Sequence, residues 1–146
     1  MVIADVSGKG IPAAMFMVMA KGIIETQSMS GNSPAQILTD VNRIICAKNR
    51  EKMFVTVWLG ILDLRTGDLI ASSAGHEYPI LKHPESDFEV LKDKHGFVIG
   101  GFERMKYRDY AIKMQSGSKL FVYTDGVPEA TNADEKLFGL IAPLRR

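Results

Sequence analysis

Residues 4–17, ADVSGKGIPAAMFM, join a short apolar run to a long apolar segment through a glycine-rich loop. The β-prone residues before Asp5 predict the end of a strand. Because Pro12 fits the first turn of a helix, a helix is predicted from Ile11 to about Met29. Its apolar residues cover most of the circumference, which predicts a helix buried on several sides. The stretch is therefore a strand, a loop and a helix, with an acid where the strand ends.

A second helix and then a series of strands follow this unit. Ser33 predicts the N-cap, Pro34 fits the first helical position, and Gln36 completes a capping-box pattern. After Lys52 the apolar residues alternate with a period of two, which is typical of strands. Two helices followed by a run of strands predict an α+β fold, with the helices packed on an antiparallel sheet. Strands are predicted within residues 53–63, 69–81, 88–92, 107–114 and 119–125, and the turn RTGD joins the first two as a hairpin.

Length and composition exclude several classes of protein. The 146 residues predict a single domain, residues 1–146. A net charge of +1 gives no global field that would recruit nucleic acid or anionic lipid. The chain has no run of about 18 apolar residues, so no membrane span is predicted. The single cysteine, Cys46, excludes an internal disulfide framework and favours a reducing, cytoplasmic compartment.

The loop DVSGKG does not match a nucleotide-binding P-loop. A Walker A motif requires glycine five residues before its Gly-Lys pair and Ser or Thr directly after the lysine. Here Ile3 and Gly10 occupy those two positions around Gly8 and Lys9. Binding of a nucleotide through this loop is therefore not predicted.

A second acid lies in a similar setting. Residues 120–132, LFVYTDGVPEATN, place Asp125 after an apolar strand and directly before Gly126. Carboxylates held at strand ends suit hard divalent cations such as Mg²⁺ or Mn²⁺. Aspartate also favours turns and caps for purely local reasons. Spacing alone leaves a metal site and a pair of turn residues both open.

Several segments together resemble the SpoIIE/RsbU-type serine phosphatases, a bacterial branch of the metal-dependent PPM (PP2C-like) phosphatases. The resemblance extends over nearly the whole chain, and its first and last long segments are the most specific. The matching segments occur in the family's order: ADVSGKGIPAAMFM, MFVTVWLGILD, SSAGHEYPIL, IGGF, LFVYTDGVPEATN and LFG.

The resemblance implies an α-β-β-α sandwich, in which two antiparallel sheets stack and helices lie outside. It also implies a site for two Mn²⁺ or Mg²⁺ ions, with Asp5 and Asp125 as the catalytic, metal-binding carboxylates and Val6 contributing its backbone carbonyl. In this family the ions activate a water that attacks phosphorus, so no nucleophilic side chain is needed. Near that site, Lys9 could attract the phosphate, and Gly8 and Gly10 could permit close approach of the backbone.

The chain departs from the family pattern at both termini. The family carries further metal aspartates in a strand before the opening segment and in a strand near its end. Neither has an equivalent here, which predicts a catalytic domain incomplete at both ends. Because the number of carboxylates sets the affinity for hard cations, weak metal binding and impaired activity are expected.

The resemblance also implies partners. The expected substrate is a phosphorylated anti-anti-sigma protein of the STAS class, and a sensor or receiver domain is expected upstream. Sheet edges left open by missing strands would favour a homodimer. His76, within SSAGHEYPIL, is expected to make structural hydrogen bonds. The alternative to an enzyme is a non-catalytic module that binds regulatory partners.

Overall fold

The computed structural model describes residues 1–139. Two helices lie between the first and second of seven strands. The elements, in chain order, are β1 (Val2–Val6), α1 (Gly10–Ser28), α2 (Pro34–Lys48), β2 (Val55–Leu62), β3 (Asp68–Ala74), β4 (Ile80–Lys82), β5 (Phe88–Val90), β6 (Tyr110–Lys113) and β7 (Lys119–Phe121).

The strands form two antiparallel sheets. One has four strands in the order β1-β2-β3-β6, and the other has three in the order β5-β4-β7. The predicted α+β fold with antiparallel sheets is confirmed. The chain divides into two compact units, the first made of residues 1–76 and 93–113, the second of residues 77–92 and the described residues from 114 onward. The first unit contains both helices and the four-stranded sheet.

Both helices form where the sequence predicts them, with two corrections. Ser33 caps α2 by accepting a hydrogen bond from the Gln36 backbone N–H at 3.4 Å. The reciprocal half of a capping box does not form, because the Gln36 amide donates instead to Asp40 Oδ2 at 2.9 Å. Helix α1 buries a single stripe rather than several sides. Phe16, Ala20 and Ile24 are buried, whereas Ile11, Met15 and Val18 are exposed.

The predicted hairpin forms between β2 and β3, but the second predicted strand is not continuous. Residues 69–81 divide at Gly75, whose φ of +67° directs the chain away from the line of β3. The part after the break, β4, pairs with β5 and β7 in the three-stranded sheet. Only residues 75–79 separate the two strands, and the sequence was therefore interpreted as one strand.

The main core lies between the helices and one face of the four-stranded sheet. Along β2, Val55, Val57 and Leu59 face this core, at the period of two with which side chains alternate between the faces of a strand. The helices contribute apolar residues at helical spacing, among them Ile37, Leu38, Val41 and Ile45 of α2.

A fully buried asparagine ties α2 to the segment that precedes β6. The side chain of Asn42 has 0% of its surface exposed. Its Nδ2 donates to the carbonyls of Phe102 at 2.9 Å and Glu103 at 3.2 Å. Its Oδ1 accepts from the Gly100 N–H at 2.9 Å and from Cys46 Sγ at 3.5 Å. The amide therefore satisfies several backbone groups at once.

We expect Asn42→Leu to lower the free energy of unfolding by about 3 kcal/mol, because buried backbone groups left unpaired each cost roughly 1–3 kcal/mol. Urea denaturation would measure the loss. Asn32→Leu, at an exposed position between the helices, is the matched control. A stability loss at Asn42 no larger than that of the control would contradict the assignment of this side chain as a structural tie.

Candidate active site

Asp5 lies near the end of β1 and belongs to the first unit. It pairs with Thr56 of β2 and is half-buried. Ala4 and Val6 point the other way and line an apolar groove against α1. Because side chains alternate along a strand, Asp5 lies on the face of the sheet opposite α1.

The carbonyl of Val6 points toward the open edge of the sheet. Met1 and Gly60 exchange backbone hydrogen bonds, and the Ser7 N–H donates to the Phe54 carbonyl at 2.9 Å. Hydrogen-bonded pairs alternate along an antiparallel ladder, so the odd-numbered residues of β1 bond to β2. The even-numbered Val6 therefore directs its carbonyl away from β2, and among the described strands β1 has no neighbour on that side.

The loop between Asp5 and α1 is held by hydrogen bonds and shaped by glycine. Ser7 Oγ accepts from the Phe54 N–H at 2.9 Å. Gly8 and Gly10 have φ values of +86° and +73°, a region that side chains other than glycine rarely occupy. Lys9 is exposed at the N-cap of α1 and makes no capping bond with its side chain. The three predicted phosphate contacts, Gly8, Lys9 and Gly10, therefore lie together beside the Asp5 strand.

Asp125 lies in the second unit, and its predicted position is corrected. Strand β7 ends at Phe121 because its only ladder partner in the described chain, β4, has three residues. Asp125 is exposed four residues further on, where its carbonyl accepts from the Glu129 N–H at 2.9 Å. It therefore opens a turn rather than ending a strand.

Two polar residues next to Asp5 were not predicted as part of a site. Thr56 Oγ1 lies 3.5 Å from the Asp5 carbonyl oxygen and 2.8 Å from Nδ1 of His76. His76 is 4% exposed and follows the turn at Gly75. The segment SSAGHEYPIL draws attention to His76 in the sequence. Nothing in the sequence distinguishes Thr56 from the other β-branched residues of its strand.

The residues around Asp5 fit a hard cation in their chemistry. A half-buried carboxylate and a backbone carbonyl directed away from its own sheet are both oxygen donors, as Mg²⁺ and Mn²⁺ prefer. Within residues 1–139, no three side chains of His, Cys, Asp or Glu gather into a cluster that could hold a metal. Asp5 and Val6 would therefore supply only part of a coordination shell.

The fold is that of the PP2C-type phosphatases. The chain is similar to the SiaA-PP2C domain of Pseudomonas aeruginosa, with a TM-score of 0.78 and 21% identity over 94% of this chain and 55% of that one. It is equally similar to the structure of the RsbU and RsbW domains of Rv1364c from Mycobacterium tuberculosis, with a TM-score of 0.78 and 24% identity over 89% of this chain and 36% of that one.

Sequence comparison defines the family. Residues 1–145 match the family described as Stage II sporulation protein E (SpoIIE), and the chain belongs to this family. It is 33% identical over 129 residues to the phosphoserine phosphatase RsbU of Bacillus subtilis (strain 168), which covers 87% of this chain. The chain spans 38% of the length of that relative. The predicted resemblance to SpoIIE/RsbU-type phosphatases is thereby confirmed.

One similar structure contains a metal. RsbX in complex with magnesium has a TM-score of 0.67 to this chain and 20% identity, over 86% of this chain and 59% of that one. At that identity the likeness concerns the fold alone.

Neither of the two described helices is long and apolar enough to cross a membrane.

Proposed function

We propose that residues 1–146 form part of a metal-dependent protein serine phosphatase domain. The observation that carries the proposal is the arrangement at the end of β1. There a half-buried Asp5 and an outward-directed Val6 carbonyl adjoin a loop that exposes Gly8 and Lys9. Membership of the SpoIIE family and the identity to a phosphoserine phosphatase support this reading.

The metal ligands proposed from this chain are Asp5, Val6 and Asp125, for Mn²⁺ or Mg²⁺. Two such ions, when bound, lower the pKa of water and offset the charge of the phosphoryl oxygens. The chain's own contribution is to fix oxygen donors on a strand end and in a turn. No side chain of the chain is assigned as a nucleophile.

Substrate contacts are proposed for the loop before α1. The Lys9 ammonium is exposed and adds positive charge where a phosphate would approach. The glycines on either side lack a Cβ, and even a Cβ placed on Gly10 would meet no atom within 4 Å. The loop can therefore admit a phosphoserine side chain close to its backbone.

The proposed substrate is a phosphorylated STAS-type anti-anti-sigma protein in the cytoplasm. Two observations support a regulatory protein as partner: one relative is named RsbU, and a similar structure contains both an RsbU and an RsbW domain. An upstream sensor or receiver domain and a homodimer belong to the same proposal.

A second candidate is a binding module that engages such partners without turnover. It is favoured by the absence of a cluster of three metal-binding side chains among residues 1–139. Turnover that requires a metal would distinguish the enzyme from the binding module.

We expect the chain to hydrolyse p-nitrophenyl phosphate slowly in Mn²⁺, and Asp125→Ala to abolish that turnover. Removing a carboxylate ligand lowers the affinity for a hard cation, because ligand charge sets that affinity. Release of nitrophenolate would be followed at several Mn²⁺ concentrations. The exposed Asp134→Ala is the matched control in the same unit. Equal turnover by the Asp125 variant and the unaltered chain would remove Asp125 from the proposed site.

A further inference from the structure

Three residues on one face of the four-stranded sheet form a short hydrogen-bonded series. Asp5 and Thr56 lie directly opposite each other on neighbouring strands. Thr56 Oγ1 donates to the Asp5 carbonyl at 3.5 Å and lies 2.8 Å from Nδ1 of His76. His76 is 4% exposed, so its imidazole is held inside the protein rather than at its surface. The series joins a buried ring to the strand end that carries the proposed metal ligands.

The direction of the hydrogen bonds follows from the number of protons available. A threonine hydroxyl has one proton to donate. If that proton goes to the Asp5 carbonyl, the bond between Thr56 and His76 must be donated by Nδ1–H of the imidazole. Both contacts are therefore satisfied together only when His76 carries a proton on Nδ1.

We propose that His76 is a positioning residue, which acts through Thr56 to orient Asp5. This inference rests on the proposed function, because it assigns Asp5 as a metal ligand. The Asp5 carbonyl belongs to the peptide plane that joins Asp5 to Val6. Holding that plane restrains the backbone from which the Asp5 side chain projects and which leads into the Val6 carbonyl. Groups that orient the ligands of a metal typically change its affinity 10–100-fold when they are removed.

The test measures Mn²⁺ affinity of the complete protein by calorimetry in two pairs of variants. Thr56→Val keeps the shape of the side chain but loses its hydroxyl, whereas Thr56→Ser keeps the hydroxyl. His76→Leu loses the donor, whereas His76→Asn can place an amide N–H near the former Nδ1. We expect the first member of each pair to weaken Mn²⁺ binding about tenfold, and the second to stay within about twofold of the unaltered protein.

The matched control is a second histidine–hydroxyl pair elsewhere in the chain. His83 Nδ1 lies 2.9 Å from Ser118 Oγ, in a contact that includes neither Asp5 nor Asp125. His83→Leu should leave Mn²⁺ affinity unchanged. Thermal unfolding of the metal-free variants would show whether an affinity loss reflects damage to the fold rather than to the orientation of Asp5.

A second readout needs no metal. Long-range ¹H–¹⁵N NMR of His76 should show Nδ1 protonated in the unaltered protein, and Thr56→Val should shift the Nδ1 resonance. An unprotonated Nδ1, or equal Mn²⁺ affinity in Thr56→Val and Thr56→Ser, would overturn the positioning role.

The experiments distinguish failure of the positioning role of His76 from failure of the proposed metal site. If Mn²⁺ binding is lost in Asp5→Ala but unaffected by either pair of variants, only the positioning role is wrong. If the unaltered protein takes up no Mn²⁺ that depends on Asp5, the proposed metal site fails and the positioning role fails with it.

Discussion

Replacing Asp5 with asparagine is expected to reduce Mn²⁺-dependent phosphate release about 10³-fold, because metal stabilisation of phosphoryl transfer is worth several kcal/mol and each 1.36 kcal/mol is tenfold in rate. Asparagine keeps the shape of the side chain but removes the negative charge that a hard cation requires. The pairing of Asp5 with Thr56 in the β1–β2 ladder is made by backbone groups. The substitution should therefore leave the strand in place. Phosphate release would be measured at saturating Mn²⁺.

The control for this substitution is Asp87→Asn, at an exposed position between β4 and β5. It removes the same charge outside the proposed site and should leave the rate unchanged. Thermal unfolding of both variants without metal separates a loss of ligand from a loss of fold. A rate for Asp5→Asn within a few-fold of the unaltered protein would show that this carboxylate holds no catalytic metal.

The largest loss of stability is expected at Trp58. Its side chain is 0% exposed, and its indole N–H donates to the Tyr110 hydroxyl at 2.6 Å. Trp58→Ala should lower the free energy of unfolding by about 3–5 kcal/mol through lost burial and the cavity left behind. That is a large part of the 5–15 kcal/mol that roughly bounds the stability of a natural domain. Chemical denaturation would measure it, and a loss below about 1 kcal/mol would contradict the observed packing.

Gly60 explains why the indole fits, and it allows a sharper test. A Cβ on Gly60 would lie 2.5 Å from Cη2 of Trp58 and 3.0 Å from Cδ1 of Leu69. Gly60→Ala should therefore destabilise the protein by about 1–3 kcal/mol through overpacking. In a Trp58→Phe variant, which lacks Cη2, the same change should cost at least about 0.5 kcal/mol less, since contacting residues are not additive. Equal costs in both backgrounds would contradict the close approach.

The helices could be predicted well because their signals are local. Pro34 fixes the first helical position, and the apolar residues of α2 recur at helical spacing on one face. The side-chain partner of Gln36 could not be predicted, because Asp40 and the backbone of Ser33 are both within reach of its amide. The exposure of Met15 and Val18 on α1 was also missed, since hydropathy does not say which apolar face finds a neighbour.

The strands were predicted in kind but not in extent. A sequence pattern does not reveal the backbone angle at a single residue. The predicted strand therefore continued past Gly75 into β4. The prediction likewise extended β7 to Asp125, although a ladder can be no longer than its partner and β4 ends after three residues. Strand length is therefore set by pairing, which the sequence of one strand does not contain.

The candidate site also contains residues that the sequence could bring together and residues that it could not. Asp5, Gly8 and Lys9 lie within five residues of one another along the chain, so the sequence alone predicts their proximity. Thr56 contacts Asp5 through the register of β1 with β2, and His76 contacts Thr56 through the turn after β3. Such contacts depend on long-range pairing, and the residue types alone do not indicate them.

The proposed function is hydrolysis of phosphoserine that depends on a divalent metal. The most direct measurement is the release of inorganic phosphate from a protein phosphorylated on serine, in Mn²⁺ and again in excess EDTA, with the complete protein. We predict release in Mn²⁺, none in EDTA, and no phosphorylated form of the enzyme on rapid quenching. Release that continues in EDTA, or a phosphate group transferred onto the chain itself, would contradict the proposed function.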